Sequence, residues 1–299
     1  MNRVIVVGSV NQDVTVKVER HPLPGETLTG NGLSYRLGGK GANQAAAAAH
    51  AGVETVFVGA VGADSTGDSL RDELAMHDVN MEHLATIDTA SGSAFITVAA
   101  NGENTIVLDP GANGQVASGA LDAITDLDSS DVVVLQGELP LEVNIRSIKI
   151  AAKVNARVVW NPAPAISLSD IDLTAVTVLV VNETEAGIAL DVKVPEGIEA
   201  ALEAAEHLRA LGPTAVLITL GEKGGVWADG TSNGHFPTTK PSRVVDTTGA
   251  GDATVGVLSA ALAKGYSFPD AVAEGLKAGS AAVENEGAAA SYSVITPLA

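Results

Sequence analysis

The chain contains no cysteine. That absence removes disulfide bonds, thiolate nucleophiles and zinc–thiolate centres from consideration. Aromatic residues are scarce, at 3% of 299 residues, so a core must be assembled mainly from Val, Ala, Leu and Ile. Basic residues are few as well: 17 Lys and Arg stand against 36 Asp and Glu, a formal net charge of −19. With no basic stripe to release counterions, neither nucleic acid nor an anionic membrane surface is an expected partner. The same charge opposes any anionic ligand, which would need local dipoles or cations to overcome the global field. Long apolar runs are also missing, and none approaches the ~20 residues of a membrane span. The opening MNRVIVVGSV lacks the basic and apolar regions of a secretion signal, so a cytoplasmic protein is expected.

Several catalytic signatures are absent too. Neither Lys40 nor Lys223 is followed by Ser or Thr in a P-loop pattern, and the first apolar run ends VVGSVNQD rather than GxGxxG. The histidines show no HExxH spacing, and no GxSxG elbow occurs.

What is present is a regular alternation. Short β-branched runs start at Arg3, Glu54, Asp131, Ala156, Val176 and Thr214. Each is continuously apolar, as buried parallel strands tend to be. Helical patterns lie between them, including GANQAAAAAHAG, DSLRDELAMHD and GIEAALEAAEHLRALG. The expectation is one α/β domain over residues 1–299, with a doubly wound, mostly parallel sheet between two helical layers. Two stretches break the rhythm: about 13–37 alternates polar and apolar residues, and 93–108 holds two short runs joined by AANGEN, which reads as a hairpin. Alternation means one wet face, so these are read as a small β-sheet lid over one edge of the domain.

Two glycine-rich turns run into helices. In DTTGAGD, Gly249, Ala250 and Gly251 precede a helical pattern and Asp252 falls on its first turn. Glycine amides at a helix N-terminus make an anion hole, and a carboxylate beside it can accept the proton of an attacking hydroxyl. The plain alternative is an acid favoured by the helix dipole. In LGGKGANQA, Gly39, Lys40 and Asn43 occupy a turn whose three glycines exceed the needs of a simple cap. Backbone approaching a polar ligand is the expectation there. Asn11 and Asp13 in GSVNQD share a side if extended and suit vicinal hydroxyls, the plain alternative being an Asx-turn, which the motif taken alone would favour. Asn182 and Glu185 in VVNETEAG share a helical face, where they could hold a metal through water, line a phosphate, or merely cap the helix. ITLGEKGG reads as a strand followed by a flexible loop suited to nucleotide phosphates or ribose.

The order of these motifs, with PGET at Pro24, GEN at Gly102, GAN at Gly111 and NPAPA at Asn161, resembles the ribokinase (PfkB) family of carbohydrate kinases over nearly the whole chain. The resemblance implies ATP-dependent transfer of the γ-phosphoryl group to a sugar hydroxyl, O5 of ribose in the members it is nearest. It implies Asp252 as the base and Gly249, Ala250 and Gly251 as the anion hole. Asn11, Asp13, Gly39, Lys40, Asn43 and Glu138 would hold the sugar. Asn182, Glu185, Thr219, Gly221, Gly224 and Gly251 would hold ATP, with Asn182 and Glu185 organising Mg2+. A potassium ion would sit at Asp246, Thr248, Ala282, Asn285, Gly287 and Ser291. The lid would also carry a homodimer contact. Relative to the family pattern, Ala253 and Thr254 follow GAGD, and Leu276 stands where a polar residue often meets adenine. Deoxyribose, another pentose or a nucleoside are the alternative acceptors. A non-catalytic sugar sensor is the alternative of another class, and the intact GAGD argues against it.

Overall fold

The computed structural model describes residues 2–299. Its main sheet begins with β1 (Val4–Val7), whose residues are wholly buried. The chain continues through α1 (Lys40–His50), β4 (Thr55–Gly62), α2 (Ser65–Ala75) and β5 (Asn80–Ile87). It then crosses to β8 (Val132–Leu135), α3 (Leu141–Lys153), β9 (Arg157–Trp160) and β10 (Val178–Asn182). After α4 (Glu183–Leu190) and α5 (Ile198–Ala210) come β11 (Ala215–Thr219), β12 (Gly225–Ala228) and β13 (Asn233–Phe236). Two long helices, α6 (Ala250–Ala263) and α7 (Phe268–Ala282), complete the layers.

The strand order is β13-β12-β11-β10-β9-β8-β1-β4-β5. Pairing is parallel from β11 to β5, and the β11–β12 and β12–β13 pairs are antiparallel. Because β1 lies between β4 and β8, the winding reverses there, and open α/β sheets place ligands at the carboxyl end of such a switch point. Strand alternation divides the core. Val4 and Val6 pack with α1, α2, α6 and α7, while Ile5 and Val7 pack with α3, α4 and α5. With so few aromatics, close approach replaces bulk. A side chain on Gly256 of α6 would lie 2.5 Å from the Gln44 carbonyl and 2.6 Å from the Ala47 methyl of α1. Those two helices therefore pack almost backbone to backbone.

The alternating stretches form a separate four-stranded sheet, β3-β2-β6-β7, from β2 (Asn11–Val18), β3 (Asn31–Gly38), β6 (Gly92–Ala99) and β7 (Asn104–Asp109). β2 pairs antiparallel with β3 and parallel with β6. It starts a few residues after β1 ends, so the main sheet feeds directly into the small one.

Two elements add to the expected architecture. The stretch that closes ITLG is a 3-10 turn at Gly221–Lys223 leading into the β12–β13 hairpin. The NMEHLATI segment is the edge strand β5, which its mixed burial hid from a search for continuously apolar runs.

Candidate active site

The carboxyl end of β1 and the N-termini of α1 and α6 meet around Asp252. Gly249 is the N-cap of α6, in left-handed backbone at φ 78°. A side chain there would meet Ala288 and the Tyr292 hydroxyl at 2.6–2.7 Å, so the turn admits only glycine. The Tyr292 hydroxyl donates to the Gly249 carbonyl at 2.7 Å, and burial raises its phenol well above the usual value. Ala250 N–H turns back to the Thr247 carbonyl at 3.3 Å. The next amides of the helix have no intrahelical acceptor by geometry. Gly251 faces open space, with nothing within 4 Å of where a side chain would stand.

Asp252 is buried, and both oxygens are held. Oδ2 accepts from Asn43 Nδ2 at 3.1 Å and Oδ1 from Gln44 Nε2 at 3.0 Å. The Asn43 side-chain oxygen is buried without a partner and so remains available to a donor. Lys40 lies in the same field, and its ammonium pKa is raised by Asp252 first, with Glu138, Glu185 and Asp13 adding to the effect.

On the small-sheet side, Glu138 accepts from the Ser9 hydroxyl at 2.6 Å and from the Lys40 amide at 3.0 Å. Asn113 fixes the turn after β1 by bonding both backbone groups of Val10 and donating to the Asn11 side chain at 2.7 Å. Asp13 sits within reach of Glu138, Asp252 and Lys40. Burial, then the two carboxylates, pushes it up to about 7 against the opposing pull of Lys40. The cluster thus brings together Asn11, Asp13, Lys40, Asn43, Glu138 and Asp252.

The glycines of GGKGAN also meet a demand of packing. Side chains at Gly38, Gly39 and Gly41 would strike Asp13, the backbone of Ser9–Asn11, and the backbone of Gly8–Ser9, respectively. Gly39 also has φ 91°. These glycines let α1 and β3 close against the turn after β1, which is packing within the fold.

Two cavities adjoin at the start of α6, and Asp252 lines the smaller of them. A small polar one of about 130 Å³ is lined by Lys40, Asn161, Asn182, Glu185, Gly251 and Asp252, among others. A larger groove of about 750 Å³ runs past Thr219, Gly221, Gly224, Leu276 and Gly279. Thr219 and Gly251 line both. Leu276 lies in the groove beside Gly225 and gives that part an apolar wall. Lys240 and Arg243 also line it, supplying local cations in a chain of net charge −19. Asn182 and Glu185 form a reciprocal capping box on α4, at 2.8 and 2.9 Å. The capping alternative is therefore real, yet it uses only one Glu185 oxygen. Burial raises the Glu185 carboxyl above its ordinary value.

The segments proposed to hold potassium do converge. Asp246 accepts from the Thr248 amide and hydroxyl and from the Gly287 amide, while Val245 and Asp246 donate to the Val283 carbonyl. Ala282 closes α7 beside them, Asn285 donates back to its carbonyl, and the Ser291 hydroxyl bonds the Ala288 carbonyl. Among the described residues no group of three or more His, Cys, Asp or Glu is placed to hold a metal. The oxygens that gather here are main-chain carbonyls and one carboxylate.

Sequence reasoning missed Gln44, Gln136, Asn113 and Tyr292. Gln44 and Asn113 stand inside quoted motifs, but their partners lie about a hundred residues or more away in the chain. No local signal reports such a pairing.

A family model for pfkB family carbohydrate kinases matches residues 1–295. A ribokinase of Haemophilus influenzae is 36% identical over 288 residues, covering 96% of this chain and 94% of its own. Among solved structures, the ribokinase of Cryptococcus neoformans var. grubii in complex with ADP matches with a TM-score of 0.86 at 33% identity, over 99% of this chain and 96% of that one. The Arabidopsis thaliana ribokinase complexed with ribose and ATP gives a TM-score of 0.85 at 28% identity, over 99% and 96%. The motifs, the fold and these likenesses agree, and the chain belongs to the pfkB family of carbohydrate kinases.

Proposed function

We propose that the protein is an ATP-dependent ribokinase, converting D-ribose and ATP to D-ribose 5-phosphate and ADP. One observation carries the reading. The Asp252 carboxylate stands between the polar cluster of Asn11, Asp13 and Glu138 and the open face of Gly251, where the nucleotide-sized groove begins. A sugar hydroxyl on one side and a γ-phosphate on the other would both meet Asp252.

In this reading Asp252 accepts the proton of the ribose O5 hydroxyl as that oxygen attacks the γ-phosphorus. The bond from that phosphorus to the β-phosphate oxygen breaks, and ADP leaves. The amides of the Gly249–Gly251 turn and the Lys40 ammonium face the charge on the transferring group. Asn11, Asp13, Gly39, Asn43 and Glu138 hold the sugar. Thr219, Gly221, Gly224 and the Leu276 wall hold the nucleotide. Asn182 and the free oxygen of Glu185 would hold Mg2+, through water, against the phosphates; the ion would neutralise phosphate charge. The loop oxygens around Asp246, Thr248, Ala282, Asn285, Gly287 and Ser291 would hold potassium and stiffen the start of α6. The small sheet closes over the sugar as a lid and pairs with a second copy. A kinase using ATP is expected in the cytoplasm, and no helix among the described residues is long and apolar enough to cross a membrane.

The test is ADP release over a panel of ribose, 2-deoxyribose, fructose and inosine, with ATP and magnesium. Ribose should give the highest kcat/KM. A higher value for another acceptor would reassign the substrate, and no ADP release with any sugar would leave a sensor as the reading.

A further inference from the structure

Beneath Asp252 lies a buried chain of amides that points one way. The Gln136 backbone carbonyl accepts from the Trp160 indole at 3.3 Å and from the Asn144 amide at 2.5 Å. The Gln136 side chain donates to the Gln44 side-chain oxygen at 2.9 Å. Gln44 in turn donates to Asp252 Oδ1 at 3.0 Å and to Asn161 Oδ1 at 3.2 Å. Asn161 is oriented by its own donation to the Val180 carbonyl at 2.9 Å. Gln44 and Gln136 are both almost entirely shielded from solvent, at 0% and 2% exposure.

This arrangement fixes which end of Gln44 faces the carboxylate. Flipping the amide would set its oxygen against Asp252 Oδ1 and Asn161 Oδ1 and its nitrogen against the Gln136 nitrogen. Three contacts would turn repulsive in a buried place where water cannot compensate. The approach of α1 to α6 at Gly256, one turn beyond Asp252, gives Gln44 its reach. Asn43 alone holds the other oxygen and leaves the carboxylate free to turn about that bond.

The geometry points to Gln44 as a positioning residue for the phosphoryl-transfer step, locked by Gln136, that keeps the Asp252 carboxylate in one rotamer toward the sugar hydroxyl. This rests on the reading of Asp252 as the general base. Without Gln44 the carboxylate is drawn toward the Lys40 ammonium, whose pull on it is already the largest influence on that lysine. A turned carboxylate still tolerates ribose but takes its proton poorly, so the loss belongs to kcat.

The experiment is a double-mutant cycle in the full-length protein with Gln44→Leu and Asp252→Ala, read by ADP release and by ribose titration calorimetry. A hydrogen bond to a charged group is worth about 1.5–3 kcal/mol, so Gln44→Leu should lower kcat by roughly tenfold or more, with ribose affinity within about twofold. In the Asp252→Ala background the same change should cost almost nothing, because no carboxylate remains to be held. An equal fold-loss in both backgrounds would mean that Gln44 only supports packing and would overturn the proposal. Near-parental turnover of Asp252→Ala alone would instead defeat the base assignment, a separate failure. If Gln44→Leu melts below the assay temperature, Gln136→Leu runs the same cycle with Gln44 present but unlocked. Its kcat loss should likewise vanish without Asp252, and persistence would overturn the proposal.

Discussion

The Asp246 carboxylate accepts the Gly287 amide at 2.9 Å and fastens the turn before α6 to a loop 41 residues further on. Arg36 reaches the same loop, pairing with Glu286 at 3.3 Å. The start of α6 is therefore held by tertiary contacts that a cation among the loop oxygens would reinforce. Potassium chloride should activate the enzyme more than sodium or tetramethylammonium chloride at equal ionic strength. Asp246→Ala, which unfastens the two loops, should lose most of that response. Identical activation by all three salts would leave ionic strength as the cause and remove the cation site.

Asp252→Asn keeps the shape of the site and removes its base. Expected is a fall in kcat of at least ~10²-fold, since general-base catalysis is worth about 10²–10⁴. Ribose binding by calorimetry should survive in weakened form. Turnover near that of the parent would refute the role given to Asp252.

Asp13 should tie sugar binding to pH. Its carboxyl is pushed up to about 7 from the ordinary 3.8 by burial, Glu138 and Asp252. Between those values the folded chain binds a proton that the unfolded chain releases, so stability falls as pH rises through the window. An ionised carboxylate accepts from sugar hydroxyls, so ribose affinity should rise as pH passes about 7. Asp13→Asn should remove the stability cost, raising Tm at about pH 8 by roughly 2 °C or more relative to the parent. The gain should vanish near pH 4, below which Asp13 is protonated in both states. Its ribose KM should rise by about tenfold or more. Calorimetric melting at both pH values decides the matter, and a Tm difference that ignores pH would contradict it.

The small sheet should pair two copies of the chain. Register places Val14, Tyr35, Phe95 and Val107 on one face, and Asp13, Thr15, Ile96 and Ile106 on the other. Tyr35, Phe95, Ile106 and Val107 are all exposed. A small sheet with apolar residues open on both faces is marginal alone and invites a partner. Ile106 and Val107 point to opposite faces of the edge strand β7, so Ile106→Asp with Val107→Asp disrupts either packing. Light scattering should show the parent as a dimer at micromolar concentration and the variant as a monomer with raised ribose KM. A monomeric, fully active parent would exclude the arrangement.

The sequence by itself determined the alternation of buried runs and helices, because continuous apolar strands and 3.6-residue periods are local signals. It determined the departure of the small sheet, because β2 and β3 alternate polar and apolar residues and AANGEN between β6 and β7 reads as a hairpin turn. It also located the Gly249–Asp252 helix start, whose backbone demands are local. Strands β5, β12 and β13 escaped it, being short or mixed in polarity. Only the tertiary structure decided what surrounds Asp252. Asn43 and Gln44 lie 209 and 208 residues away in the chain, and Glu138 reaches Ser9 across 129. It also decided why GGKGAN is rich in glycine, since the atoms that exclude side chains at Gly39 and Gly41 belong to the turn after β1. A hydrogen bond or a close packing contact depends on which elements meet, and no local pattern encodes that meeting.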